Sequence, residues 1–158
     1  MNMEKWLKYL EAEGDDEKSK VIKFIILWMA YNQWYNETYP KINRDKNRAL
    51  QLSQDCKAST AYKDLKTKFL NSFKYISSVH CEDGQRDRLW KDSEKENEIL
   101  FNDQNCDLKQ FLTLTYQIRC NFFHGSKEYD EANKKLIAWA YDSLHLLFKT
   151  LQIDIEHQ

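Results

Sequence analysis

Three side chains suited to phosphate chemistry lie within six residues of this 158-residue chain: Arg119, Asn121 and His124. Arginine keeps its charge at every relevant pH and presents a fork of donors that matches phosphate oxygens. Histidine titrates near neutrality and can act as a general base or a general acid. Gly125 is one of only three glycines, and its place directly after the histidine predicts a left-handed helix stop. The four residues therefore predict a phosphate-directed site at the end of a helix.

The helix itself limits how this site can work. An α-helix turns about 100° per residue, so Arg119 and His124 project roughly 140° apart. Both side chains can face one atom if the helix unwinds at Gly125, or if two chains pair with their motifs facing each other. Cys120 lies about 40° from His124 by the same arithmetic. We expect this thiol on the wall of the site, although a small buried packing role is the alternative.

The stretch from Arg119 to Gly125 resembles the signature of the HEPN superfamily, small all-helical domains marked by an Arg, four to six residues and a His. It is most similar to Apea-like and phage-defence members, whose motif runs Arg-Asn-Asn-aliphatic-Phe-His-Gly. Five residues match that motif: Arg119, Asn121, Phe123, His124 and Gly125. Cys120 departs from it, because the family usually has Asn, Asp or His at that place. Residues 28–35 are also similar to the family's early helix, which carries aromatic residues and an Asn.

This resemblance implies a metal-independent endoribonuclease of the toxin or phage-defence kind. It also implies a homodimer whose composite cleft is lined by both motifs, and products with a 2′,3′-cyclic phosphate and a 5′-hydroxyl. His124 is then the general acid or base, Arg119 binds the phosphate, and Asn121 orients the phosphate or the imidazole. Cys120 and Lys127 are expected to contact the RNA substrate. We expect no cofactor and no metal, since the sequence shows no metal-ligand spacing and no glycine-rich phosphate loop.

Two alternatives remain open. An Arg at a helix C-terminus and a His before a capping Gly can serve capping alone, which would make the protein a non-catalytic RNA-binding, nucleotide-binding or scaffold protein. An antitoxin or another defence-system partner is also possible. One branch of the family is silenced by a nucleotidyltransferase that modifies a Tyr two places after the His. Ser126 stands at that place, and the nearest tyrosine is Tyr129, so this partner is disfavoured.

Composition predicts a single all-α domain over residues 1–158, built as a bundle of five or six helices. With 3 Gly and 1 Pro, an architecture of many β-turns is disfavoured. The net charge of −1 provides no overall basic field, so contact with RNA must come from a local patch. The cysteines lack CxxC spacing, which indicates free thiols and disfavours a zinc site: Cys56, Cys81, Cys106 and Cys120.

The chain also predicts a cytoplasmic protein without membrane contact. Its first residues carry an early acid and lack the apolar region of a signal peptide. The longest apolar run, residues 24–31, is far shorter than the roughly 20 residues that span a bilayer.

Helical periodicity predicts the first elements. A short helix is expected over residues 3–13, and Asp15 or Asp16 is expected to cap a second helix that extends to about residue 35. Ile22, Ile26 and Met29 widen its apolar stripe, which predicts burial on more than one side. Asn32 lies on the apolar face, and we interpret it as a core Asn with a backbone or Tyr partner rather than as a catalytic residue.

The later elements follow from the same signals. Pro40 ends the second helix, and the basic residues of 44–48 open a polar helix with a solvated face. Ser59 or Thr60 is expected to cap the next helix. Residues 77–104 form a charge-dense connection with room for a short helix, after which Asp107 caps the motif helix. A last helix is predicted over 129–151, with His145 in a structural role. Three residues are expected off the buried centre of the motif helix: Arg119, Asn121 and His124.

Overall fold

The computed structural model describes residues 7–8, 10–11, 14–80, 88–92, 97–125 and 129–151. Five α-helices have defined bounds: α1 (Glu17–Thr38), α2 (Asp45–Leu50), α3 (Cys56–His80), α4 (Leu108–Phe123) and α5 (Glu131–Leu151). Residues 7–8 and 10–11 are also helical, and the 3₁₀-helix Gln51–Gln54 joins α2 to α3. The short strands β1 (Lys91–Asp92) and β2 (Asn97–Glu98) pair antiparallel. The fold is all-α, as composition predicted, and no described helix is long and apolar enough to cross a bilayer.

Local capping signals set most of the helix ends. The carboxylate of Asp16 accepts from the Ser19 backbone N–H at 3.4 Å and caps α1. The helix ends at Thr38, two residues before Pro40. Asp107 caps α4 by accepting from the Gln110 N–H at 2.8 Å. These predictions are confirmed.

The predicted cap of α3 is wrong. This helix begins at Cys56, three residues before Ser59, and the carboxylate of Asp55 accepts from the Ala58 N–H at 2.9 Å. The physical reason is that a carboxylate three residues before that N–H already satisfies it, so the helix starts earlier.

Helix α1 is buried along a wide apolar stripe, but the predicted widening of that stripe is wrong at two positions. Ile22 and Met29 are 54% and 63% exposed, so their predicted burial is wrong. The opposite side of the helix is covered instead, because α5 packs along it and the rings of Tyr31 and Phe148 approach to 4.8 Å. Even the stem of Lys23 is buried there, with its Nζ 5.5 Å from the centre of the Tyr141 ring.

Aromatic rings fill the core between the long helices. Helix α5 packs against both α1 and α3, and Trp139 of α5 donates its indole N–H to the Phe69 carbonyl at 3.1 Å. Phe73 lies 5.1 Å from Trp139, and Phe69 stacks on Phe111 of α4 at 5.1 Å. The high aromatic content of the sequence is therefore used mainly to hold the bundle together.

The predicted connection begins later than expected, since α3 stays helical to His80. We call residues 88–92 the 88–92 segment; within it Leu89 and Trp90 are 2% and 4% exposed. The described part of the connection contains the pair of short strands rather than a short helix. Phe101 is buried against the ring of Phe73 at 5.5 Å. The connection is thus pinned to the bundle at two places, one of them beside α4.

Candidate functional site

The end of α4 places His124 at the surface. Its backbone is helical (φ −83°, ψ −5°), and its N–H donates to the Cys120 carbonyl at 3.0 Å. Gly125 then turns left-handed at φ 62°, and its N–H donates to the Phe122 carbonyl at 3.2 Å, which confirms the predicted stop. The imidazole of His124 is exposed. Because the helix continues through His124, it does not unwind to aim His124 toward Arg119, and the two side chains leave α4 roughly 140° apart.

Arg119 lies on aromatic rings from two helices. The central carbon of its guanidinium is 4.9 Å from the centre of the Phe123 ring, 5.7 Å from that of Tyr116 and 6.0 Å from that of Trp28. These four residues form what we call the arginine shelf. Each contact is within the range of a cation–π interaction, which holds the charge in place without neutralising it.

No carboxylate neutralises this arginine within the described residues. Its Nη1 makes a weak hydrogen bond to the Cys120 sulfur at 3.6 Å, and its Nε is buried without a hydrogen-bond partner. A polar group left in this state costs about 1–3 kcal/mol of stability. The arginine shelf therefore presents a partly buried, uncompensated cation beside the exposed His124, and an anion is the natural ligand for such a group.

One carboxylate fixes the ring that forms the wall of the shelf. The hydroxyl of Tyr116 donates to Asp45 Oδ2 at 3.0 Å. The other oxygen of Asp45 accepts from the hydroxyl of Tyr35 at 2.9 Å and from the amide of Asn32 at 3.1 Å. Asp45 is thus shared among three side chains of α1 and α4, and its oxygens are not used by Arg119.

The two tyrosines of this network remain donors at neutral pH. Burial is the main reason that the pKa values of Tyr35 and Tyr116 are raised, and hydrogen bonding to the Asp45 carboxylate raises both further. A neutral phenol that donates to a carboxylate holds its ring in one orientation. Asn32 also donates to the Tyr35 oxygen at 2.6 Å, which confirms its predicted Tyr partner, and its side chain is partly buried.

Asn121 faces the opposite side from the shelf. It is only 6% exposed, so the expectation that it lies off the buried centre is wrong. Its Nδ2 donates to the carbonyls of Leu89 and Lys91 at 2.6 and 2.8 Å, and its Oδ1 accepts from Gln117 at 2.9 Å. The physical reason is the 88–92 segment, whose turn would otherwise bury two carbonyls without donors. Asn121 holds this segment on α4.

The remaining predicted site residues are Cys120 and Lys127. Cys120 is a partly buried free thiol, and its sulfur contacts the guanidinium of Arg119 at the edge of the arginine shelf. Lys127 lies outside the described residues, as do Ser126 and Cys81. Of the five predicted site residues, Arg119 and Cys120 are therefore in contact, His124 is at the same helix end, and Asn121 faces away.

Sequence reasoning missed Asp45 and Tyr116. Asp45 stands in a run of alternating charges, which is typical of a solvated helix face, and it is 71 positions from Tyr116. No local pattern links the two residues. The only available signal was the polar Asn32 on an apolar face, because a buried amide needs a partner from elsewhere in the chain.

A separate cleft lies between α1, α3 and α5. It is a cleft of about 560 Å³, and α4 contributes no residue to its lining. Two of its lysines are already paired, Lys20 with Asp142 at 2.9 Å and Lys135 with Glu17 at 2.6 Å. Its charges are thus largely compensated, in contrast to the arginine shelf.

Comparison of the chain with family models, with curated proteins and with solved structures gives no match. Within the described residues, no group of three or more His, Cys, Asp or Glu side chains is arranged to bind a metal ion. The candidate site is therefore defined by its geometry and by the motif at the end of α4.

Proposed function

We propose that this protein is a metal-independent endoribonuclease of the HEPN type, acting as a toxin or in defence against phage. Arg119 binds the scissile phosphate, and His124 transfers protons. One observation carries the proposal: a partly buried guanidinium, with no carboxylate partner among the described residues, lies at the same helix end as an exposed imidazole. A cation and a group that titrates near neutrality are what metal-free cleavage of RNA requires.

The reaction is balanced without a cofactor. A base removes the proton of the ribose 2′-hydroxyl, the 2′-oxygen attacks phosphorus, and the bond from phosphorus to the 5′-oxygen breaks. An acid then protonates the 5′-oxygen, which leaves a 2′,3′-cyclic phosphate and a 5′-hydroxyl. Charge grows on the phosphate oxygens in the transition state, and the guanidinium of Arg119 stabilises it.

Two copies of the chain complete the site in this proposal. Because α4 stays helical through His124, one chain presents Arg119 and His124 in directions roughly 140° apart. A twofold dimer with its motifs face to face supplies one His124 as base and the other as acid. Sedimentation at micromolar concentration is expected to show this dimer, and a monomer that is active under the same conditions would exclude the composite site.

The test is cleavage of an end-labelled RNA by the purified full chain. His124→Ala is expected to lower the rate by about 10²- to 10⁴-fold, the usual contribution of an acid–base group. Arg119→Lys is expected to be strongly impaired, since a point charge does not reproduce a bidentate fork. His80→Ala serves as the matched control, because His80 lines the cleft between α1, α3 and α5.

Three further observations decide the mechanism. Replacing the 2′-hydroxyl at the cleavage position by hydrogen should stop the reaction, and EDTA should leave it intact. The products should carry the cyclic phosphate. Binding of RNA by wild-type protein that never cleaves it would favour the alternative of a non-catalytic RNA-binding or scaffold protein. The identity of any antitoxin or defence partner is a separate question, which neighbouring genes would address.

A further inference from the structure

Two exposed aromatic rings lie beside the proposed cleavage site. Phe123 directly precedes His124 and is 37% exposed, and Tyr129 is 53% exposed. Phe122 bridges them, with ring centres 5.7 Å from Phe123 and 6.3 Å from Tyr129. We call Phe122, Phe123 and Tyr129 the ring strip. It is anchored to the core, because Phe122 also packs on the ring of Phe24 at 6.5 Å.

Each exposed ring of the strip carries a cation. The guanidinium of Arg119 is 4.9 Å from the centre of the Phe123 ring, and the Nζ of Lys134 is 5.0 Å from the centre of the Tyr129 ring. Lys134 also donates to the carboxylate of Glu131 at 3.0 Å, so its charge is partly shared, whereas Arg119 pairs with no carboxylate in the described part of the chain. Exposed rings interleaved with cations are typical of surfaces that bind single-stranded nucleic acid.

We propose that the ring strip is a base-stacking subsite for a single-stranded nucleic acid, with bases on Phe123 and Tyr129 and phosphates at Arg119 and Lys134. This inference rests on the proposed function and deepens it by defining the form of the substrate. Stacking requires bases whose faces are free, and the bases of a duplex are already stacked on one another. The subsite therefore selects unpaired stretches. Since Phe123 is adjacent to His124, it holds a base that flanks the scissile phosphate.

Charge favours a nucleic acid strand over an apolar partner at this surface. An apolar partner seated on the rings would bury the two cations without supplying an opposite charge, which lowers the free energy gained on binding. A polyanionic strand meets both cations with opposite charge and both rings with π faces.

The experiment measures binding without cleavage, using the full chain with His124→Ala. Three labelled probes are titrated by fluorescence anisotropy: a single-stranded RNA, the same RNA annealed to its complement, and the same strand with abasic positions. Phe123→Leu and Tyr129→Leu remove the ring while keeping an apolar side chain. Tyr75→Leu is the matched control, since Tyr75 is 61% exposed but lies on α3 beside His80.

Loss of either ring is expected to weaken binding of the single strand by about fivefold to 150-fold, which corresponds to one stacked base. The Tyr75→Leu protein should bind as the parent does. The duplex and the abasic strand should bind more weakly to the parent, and the two ring substitutions should change their affinity little. Lys134→Ala should reduce the slope of log affinity against log salt by about 0.7 or less.

Equal affinity of the parent for the single strand, the duplex and the abasic strand would overturn the subsite, as would ring substitutions without effect. Dissociation of a dimer by Phe123→Leu or Tyr129→Leu would assign the strip to a second copy instead, and sedimentation of each variant shows this. Circular dichroism checks that each variant is folded. The two rings are replaced in separate variants, so the proposal can still be tested if one variant misfolds. If binding depends on the rings but the wild-type chain cleaves no RNA, the stacking subsite is supported and the proposed ribonuclease activity is excluded.

Discussion

Two arginines on opposite sides of α4 differ in their partners. On the side of the 88–92 segment, Arg88 is 8% exposed, and its Nη1 pairs with Asp130 Oδ2 at 2.7 Å. On the other side, Arg119 lies on three rings and contacts no carboxylate of the described residues. A buried charge that serves only the fold is expected to be paired, because an unpaired one lowers stability. The difference supports a structural role for the 88–92 segment and is consistent with the proposal that Arg119 binds a phosphate.

The largest effect on stability is expected on the structural side, from Asn121→Leu. This change leaves the carbonyls of Leu89 and Lys91 without their donor, and each buried orphan costs about 1–3 kcal/mol. The free energy of unfolding should fall by about 2–4 kcal/mol in urea titrations. Asn47→Leu, on the exposed face of α2, is the control and should stay within about 0.5 kcal/mol of wild type. A small loss for Asn121→Leu would mean that the 88–92 segment is held by other contacts.

Exchanging each arginine for methionine tests the comparison directly. Arg88→Met leaves Asp130 without its partner, and we expect a loss of about 1–3 kcal/mol, moderated by the partial exposure of that carboxylate. Arg119→Met removes an uncompensated cation and should change the unfolding free energy by less than about 1 kcal/mol, because lost cation–π contacts are offset by relieved desolvation. Similar losses for the two variants would make Arg119 a structural residue and remove the basis of the arginine shelf.

The smallest expected effect is the dependence of stability on pH that arises from His145. Burial lowers the pKa of His145 below its ordinary value of 6.5, although Glu11 at 4.0 Å acts in the opposite direction. The folded state therefore favours neutral His145, so its contribution is present above pH 6.5 and is lost as pH falls through the lower folded-state pKa. His145→Phe, which keeps a ring beside Tyr141, should flatten the decline in melting temperature between about pH 7 and pH 5. An unchanged decline would assign the acid sensitivity to other groups.

Local signals in the sequence predicted the helices and their ends. Asp16 and Asp107 were predicted as caps because each carboxylate precedes the first turn of an apolar, helix-forming stretch. Gly125 was predicted to end α4 in a left-handed conformation. The span of α5 was also predicted, since the helix expected over 129–151 is observed as Glu131–Leu151. In each case the information lies within one or two helical turns, which is why it can be read from the chain alone.

The predictions that failed depend on contacts between distant parts of the chain. Asn121 is buried because the charge-dense connection, which has no helical periodicity, folds back onto α4. Met29 is exposed because α5 covers the other arc of α1, and periodicity shows that a stripe exists without showing where its edges lie. Asp45 became a shared acceptor only when α1, α2 and α4 met. Local spacing placed Arg119, Cys120 and His124 at one helix end, but it did not show that Asp45 and Tyr116 position the arginine.

The arginine shelf also has a consequence for synthesis on the ribosome. Trp28 must meet Tyr116 and Arg119, which follow it by about 90 residues. At translation rates of roughly 5–20 residues per second, that separation corresponds to about 5–18 s during which the nascent chain holds α1 but not the motif. The guanidinium of Arg119 does not contact the Trp28 ring until α4 has emerged from the ribosome and packed against α1. The growing polypeptide therefore lacks an assembled arginine shelf while it is still attached to the RNA that encodes it.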